Sequence, residues 1–273
     1  MTTAQRIIKY AAMALAVALI VGIFSGIAQL ILGITLITDF KDRNETVGEM
    51  TVYDISQNIE TVEITVDTAT LRIEIGEKFE VHSNFNKMSI KDENGRLLIK
   101  EKSHNIFNVG NNGTVLLKIP DGETLNKVLI NTGASSLFIE KLGAESIDFD
   151  LGAGSVNIQD ITVTQNAEID CGIGELSIER GKLNNLELSH GVGKAEINAD
   201  ITGKSEIDAG VGELDLNMLS GRELYTVDAE AGIGALKIDG ERVDNEVTTG
   251  NGKHFIKVEG GIGNVKINFD TAE

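Results

Sequence analysis

GIGELSI at residues 172–178 is one of six near-copies of a single unit, the others being GAGSVNI (152–158), GVGKAEI (191–197), GVGELDL (210–216), GIGALKI (232–238) and GIGNVKI (261–267). A unit this short cannot bury its own apolar face and must stack on its neighbours, so the repeat predicts an all-β, parallel β-solenoid (β-helix). With the first glycine as origin, the units start at Gly133, Gly152, Gly172, Gly191, Gly210, Gly232 and Gly261, spaced 19, 20, 19, 19, 22 and 29 residues apart. GASSLFI at Gly133 carries Ser135 in place of the second glycine, a more degenerate copy follows Asp67, and Gly240 to Lys253 reads as an inserted loop.

Three and one residues before the origins stand Phe149 and Leu151, Ile169 and Cys171, Leu188 and His190, Ile207 and Ala209, Ala229 and Ala231; one residue after stand Ala153, Ile173, Val192, Val211, Ile233 and Ile262. Strand alternation predicts that all of these face inward. Beyond the second glycine the apolar set moves to four and six after the origin, as in Leu176 and Ile178 or Leu214 and Leu216. The phase has slipped by one, which would turn every later side chain to the wrong face unless a bulge or corner absorbs it, and glycine tolerates the backbone angles required. The glycine pairs are therefore read as corners between two strands of one coil, with no ligand needed to explain them. They are Gly152 with Gly154, Gly172 with Gly174, Gly191 with Gly193, Gly210 with Gly212, Gly232 with Gly234, and Gly261 with Gly263. Residues 131–273 form the regular coils. Residues 55–130 carry a less regular alternation and read as irregular coils with hairpin insertions, Asn94-Gly95 giving the stronger turn signal and Asn112-Gly113 a weaker one.

Ahead of the repeats, Ala11 to Ile37 contains 27 residues without a charge. As a helix it would extend ~40 Å, more than the ~30 Å hydrocarbon core, and it exceeds the apolar region of a signal peptide. The expectation is one transmembrane α-helix at 11–38 after a cytoplasmic N-terminus at 1–10, then a linker at 39–54. Arg6 and Lys9 before the helix, against the mixed group Asp39, Lys41, Asp42 and Arg43 after it, orient the N-terminus to the cytoplasm and the C-terminal domain outside the cell, a single-pass cell-membrane protein.

All 42 acidic residues and 22 of the 24 basic ones follow position 38, giving that part a net charge of −20. Nucleic acid and anionic lipid surfaces both require basic patches, so neither is expected as a partner of the domain. The single cysteine, Cys171, excludes an internal disulfide.

Because the glycines fix the register, they also align the carboxylates. Four before the origins lie Asp148, Glu168, Glu187, Glu206 and Asp228, with Lys257 ending the column at the last coil; two before lie Asp150, Asp170, Ser189, Asp208, Glu230 and Glu259. Stacking brings such groups about 5 Å apart, where like charges repel, and a cation or cationic partner would offset the repulsion. A solvated, aggregation-resistant face explains the same columns without a ligand. Three after the origin, Glu175, Lys194 and Glu213 place a cation between two carboxylates.

Calcium-roll chemistry is not expected, since Val156, Leu176, Ala195, Leu214, Leu236 and Val265 stand where that motif needs aspartate. A phosphate-binding loop fails for want of a following helix and of a Gly-Lys-Ser/Thr. Cys171 and His190 share a column, but no orienting group or oxyanion donor accompanies them. No Trp and only three Tyr argue against the aromatic platforms of a polysaccharide-active enzyme. No catalytic residue, cofactor or confident metal site is assigned.

The layout of a short basic N-terminus, an apolar helix, irregular strands ending in KIPDGETLNKVLI and coils closing on GGIGNVKINF resembles a bacterial β-strand-repeat family of unknown function whose members are called candidate adhesins, among them membrane-anchored proteins of cell-envelope stress operons. The resemblance covers roughly residues 55–270 and implies a non-enzymatic surface protein or envelope-interaction scaffold. The charge columns add, as the other classes, a sensor or regulator that binds cations or cationic peptides and, third, a polysaccharide-active enzyme. The partners expected are the membrane through the single-pass anchor and a cell-envelope protein, cationic peptide or polymer.

Overall fold

The computed structural model describes residues 49–85, 88–101, 113–244 and 246–270. Among them every element is a strand except one 3-10 turn at Arg222–Leu224, and all the strands join a single wound sheet. The coils stack in parallel. The four central ones follow the chain: Leu142–Ile158, Ile161–Asn184, Leu186–Thr202 and Lys204–Gly221 pair in that order, with Asp148 opposite Glu168, Glu168 opposite Glu187 and Glu187 opposite Glu206.

At both ends the spatial order departs from chain order. The coil Lys204–Gly221 pairs with the last coil, His254–Glu259 and Ile262–Asp270, and only beyond that lies the earlier coil Tyr225–Glu230 and Ile233–Ile238. At the other end, Leu142–Ile158 pairs with Leu125–Ala134 and Leu137–Ile139, next comes Thr61–Val66 with Thr70–Gly76, and outermost is Arg96–Glu101 with Thr114–Pro120. Antiparallel strands cover the outermost coils: Glu246–Gly250 and Glu241–Val243 at one end, Met88–Glu93 and Glu80–Ser83 at the other. Antiparallel edging of this kind limits how much flat, parallel edge is offered to other chains. The turn at Asn94-Gly95 has positive φ at both residues (53° and 75°), the left-handed pair a two-residue hairpin demands. Asn112 lies outside the described residues.

The glycine corners work by close approach. Gly174 has φ +145°, and a Cβ placed on it would lie 1.8 Å from the Gly154 carbonyl oxygen of the preceding coil. Gly193, with φ +141°, stands in the same way over Gly174. The column then departs from chain order: Gly263 of the last coil lies over Gly212, and Gly234, with φ +147°, lies over Gly263 and not over Gly212. In the central coils the corner is also a bend inside one strand and not a junction between two, since Leu142–Ile158 runs unbroken through Gly152 and Gly154, and Leu186–Thr202 through Gly191 and Gly193. Only the last two coils break at the first glycine, leaving Gly232 and Gly234 on opposite sides of the start of Ile233–Ile238. Ser135, which stands in the place of a glycine, is not among the described residues with positive φ. Past the corner, the residues four and six after each origin are buried without exception, from Val156 and Ile158 to Val265 and Ile267.

Two further features hold the stack. Asn198, Asn217 and Asn268, each seven after its origin, form a side-chain ladder in which Asn217 Nδ2 donates to Asn198 Oδ1 (2.9 Å) and Asn268 Nδ2 to Asn217 Oδ1 (2.8 Å). Such ladders repeat one favourable hydrogen bond per coil. Where the glycine column ends, the buried carboxylate of Glu101 accepts the backbone N–H groups of Asp67 (2.7 Å) and Thr68 (3.1 Å).

Two further expectations are corrected. The N-terminal transmembrane α-helix is not part of the described fold: no helix among the described residues is long and apolar enough to cross a membrane. From residue 49 onward apolar side chains alternate with polar ones at strand period, so no apolar helical run builds up. The segment 11–38 assigned to that helix, the N-terminus at 1–10 and residues 39–48 of the linker lie outside the described residues. The single-pass cell-membrane localisation, with a cytoplasmic N-terminus and extracellular domain, rested on that helix and falls with it. The other correction concerns the residue between the paired glycines. Ile173, Ile233 and Ile262 are exposed and Val192 and Val211 half-buried, because the corner at the first glycine breaks the alternation that would have carried them inward.

Candidate functional site

The positions four before each origin sit on the outward side of strands whose alternate residues, such as Ala167, Ile169, Leu186 and Leu188, are buried. Ahead of Leu186–Thr202 and Lys204–Gly221 the chain turns through the left-handed residues Asn185 and Gly203. Asn185, with a left-handed φ of 48°, donates through Nδ2 to the Gln165 carbonyl (2.9 Å) and accepts the Lys204 N–H at Oδ1 (3.0 Å), tying three coils together. Asn184 reaches the Thr164 carbonyl in the same way (3.0 Å).

The first acidic column is therefore continuous from Asp148 through Glu168, Glu187 and Glu206. It continues differently from the sequence expectation. The interleaved last coil puts Lys257 between Glu206 and Asp228, inside the column and not at its end. Lys127 approaches Asp148 (3.7 Å) and Lys204 approaches Glu206 (3.3 Å), leaving the adjacent pair Glu168 and Glu187 without an ion-pair partner among the described residues. The charge of Asp148, then partial burial, then Glu187 and Asp170 hold the Glu168 carboxyl above its ordinary pKa. These side chains line an open groove of about 580 Å³, bracketed by Lys127 and Lys204.

The second column runs Asp150, Asp170, Ser189, Asp208, Glu259, Glu230 in space, and Glu246 of the covering strand extends it. Asn131 Nδ2 donates to Asp150 (2.9 Å), and Lys257 pairs with Glu259. Asp170, Asp208 and Glu230 have no ion pair among the described residues. In the third column Lys194 lies in register between Glu175 and Glu213, yet its ammonium pairs along its own strand with Glu196 (3.0 Å).

Between the second and third columns runs the apolar line Ala153, Ile173, Val192, Val211, Ile262 and Ile233, in register coil by coil, exposed except at the half-buried Val192 and Val211. On either side of it lies a row of glycines, so the apolar side chains stand on a strip of bare backbone. The signal for this line was the apolar residue inside every G-x-G. Only the burial of its neighbours shows that it faces out.

Cys171 and His190 are opposite one another, as their shared column implies. Burial, with Asp170 adding to it, pushes the Cys171 thiol up to about 12, and burial depresses the basicity of His190. Both shifts oppose a thiolate-imidazolium pair. Among the described residues no group of three or more His, Cys, Asp or Glu is arranged to hold a metal ion.

No curated protein matches this chain. Solved structures similar to it include a candidate cell adhesion protein from Clostridium sporogenes (17% identity, TM-score 0.36, covering 81% of this chain and 99% of that one). A candidate adhesin from Bacteroides fragilis (9%, 0.32, 80% and 95%) and a candidate lipid-binding protein from Parabacteroides distasonis (17%, 0.36, 82% and 96%) are similar as well. The family described as Toastrack DUF4097 matches residues 54–268, which takes in every coil of the solenoid. The chain belongs to the Toastrack DUF4097 family, in agreement with its resemblance to the β-strand-repeat proteins of unknown function.

Proposed function

We propose that the protein is a non-enzymatic interaction scaffold whose solenoid presents an acidic face to a cationic partner, a basic peptide, polymer or envelope protein. The observation that carries this is the in-register run Asp148, Glu168, Glu187, Glu206 in an open groove, where Asp148, with burial and then Glu187 and Asp170, holds the Glu168 carboxyl above its ordinary pKa against the opposing charge of Lys127. Each like-charged neighbour pair costs roughly 0.2–1 kcal/mol, and a cation laid along the column relieves several such pairs at once. The rigid coil stack keeps the charges at a fixed pitch, so a flexible polycation meets a pre-ordered surface.

The test is titration of the full-length chain with polylysine at physiological salt, beside a variant carrying Glu168→Gln, Glu187→Gln and Glu206→Gln. Saturable binding by the native chain and its loss in the variant, with an unchanged circular dichroism spectrum, is the expected result. Equal binding by the two proteins would remove the acidic column from the function.

A further inference from the structure

The exposed line between the glycine rows needs an explanation of its own. Apolar side chains on the solvent side of a regular sheet normally scatter singly. Here Ile173, Val192, Val211, Ile262 and Ile233 stand in one line over five consecutive coils, and Ile233 is 74% exposed. The two glycine rows beside the line form furrows without side chains. Beyond one furrow stand Asp170, Asp208, Glu259 and Glu230, with Ser189 between the first two; beyond the other Glu175 and Glu213 stand on either side of Lys194.

We infer that this strip is the docking surface for an amphipathic cationic α-helix of a partner, lying along the solenoid axis with its apolar stripe on the isoleucine-valine line and its basic side chains over the flanking carboxylates. The inference rests on the acidic-face reading and assigns the partner its shape. Spacing selects a helix. Adjacent coils are ~4.8 Å apart, so five ridge residues span ~19 Å. One turn of α-helix advances ~5.4 Å, which stays close to the coil pitch over that distance, and about 13 helical residues cover it. An extended strand repeats the same face every ~6.7 Å and is out of step after one coil.

Charge selects the sign. A helix with apolar residues at i, i+3, i+4 and i+7 carries its charged residues on both flanks of that stripe, one of them over the second acidic column and the other over Glu175 and Glu213. A second copy of this chain would bring the same carboxylates against themselves, and an anionic lipid surface would meet them with like charge. The furrows let the helix approach the backbone closely, as small residues do wherever helices pack tightly.

The experiment measures binding of the full-length chain to a synthetic lysine-leucine peptide of about 14 residues, leucines at helical spacing and lysines flanking them, and to a peptide of identical composition in scrambled order. The ridge variant carries Ile173→Ser, Ile262→Ser and Ile233→Ser; Ile233→Ser alone is the second variant, at a site exposed enough that the fold is unaffected. The native chain is expected to bind the patterned peptide at physiological salt roughly tenfold or more tightly than the scrambled one, and the ridge variant to lose that preference. Equal binding of both peptides, undiminished in the ridge variants, would overturn the helix assignment while leaving the acidic face intact. Binding of neither peptide would overturn both. Sedimentation as a dimer that the ridge variants dissociate would assign the strip to a second copy instead.

Discussion

Replacing Gly174 by alanine tests the mechanical basis of the coil corner. The added methyl would lie 1.8 Å from the Gly154 carbonyl oxygen on a backbone with φ +145°, so the change meets two separate obstacles. A non-glycine residue in that conformation costs about 1–3 kcal/mol, and forcing the two coils apart to clear the oxygen costs about 1–3 kcal/mol more. Gly122 separates the two. It also has positive φ, +81°, but nothing lies within 4 Å of a Cβ there, so Gly122→Ala bears only the conformational cost, about 1–2 kcal/mol. Urea unfolding of the full-length chain, followed by far-ultraviolet circular dichroism, gives the midpoints of both variants. Hydrogen exchange then shows whether protection is lost first in the coils around Gly174, since solenoids open coil by coil. Gly174→Ala should be the more destabilised by about 1–3 kcal/mol. A midpoint no lower than that of Gly122→Ala would refute the close approach of neighbouring corners.

Three other changes probe the charges and the ends. Glu101→Ala should cost about 2–4 kcal/mol by stranding the Asp67 and Thr68 N–H groups, and Glu101→Gln, which keeps one acceptor oxygen, should cost less; urea midpoints decide. Glu168 has a folded pKa above its unfolded value, so the native state binds its proton more tightly and the residue's contribution to stability declines as pH rises through the interval between the two. Glu168→Gln should therefore raise the midpoint at pH 7, with the gain shrinking as pH drops below the ordinary glutamate range and at high salt; no gain at pH 7 would contradict the repulsion assigned to the column. Lys257→Glu places a carboxylate between Glu206 and Asp228 and removes the ion pair with Glu259; it should lower the midpoint at low salt by roughly 0.2–1 kcal/mol per new contact, two contacts here where an end-of-column position would make one.

The parts of this structure that were legible in the sequence are those that repeat with the coil. The apolar positions four and six after each origin and the one-residue slip at the glycines recur six times, and each recurrence constrains the same face. The outward turn of Ile173, Val192, Val211, Ile233 and Ile262 was not legible because alternation counted from Cys171 or His190 does not carry through a corner. The order of the end coils was hidden for the opposite reason: Gly232 and Gly261 open near-identical units, and the repeat pattern cannot choose which of them lies on Gly210. The asparagine ladder did leave a trace, since Asn198, Asn217 and Asn268 share one offset from their glycines, and a polar residue recurring beside the core is the signal that marks it.

The exchanged order of the coils at residues 225–238 and 254–270 bears on how the stack is assembled during synthesis. Residues 225–238 leave the ribosome before 254–270, yet their resting place is one layer further out, with a slot left open for a segment not yet made. Simple vectorial addition would place the earlier segment directly against Lys204–Gly221 and leave residues 254–270 to stack outside it, the order that the repeat pattern alone suggests. The final coil acts as a keystone. Closure waits for residues 254–270, and a product that stops before residue 254 would be expected to settle with residues 225–238 directly against Lys204–Gly221.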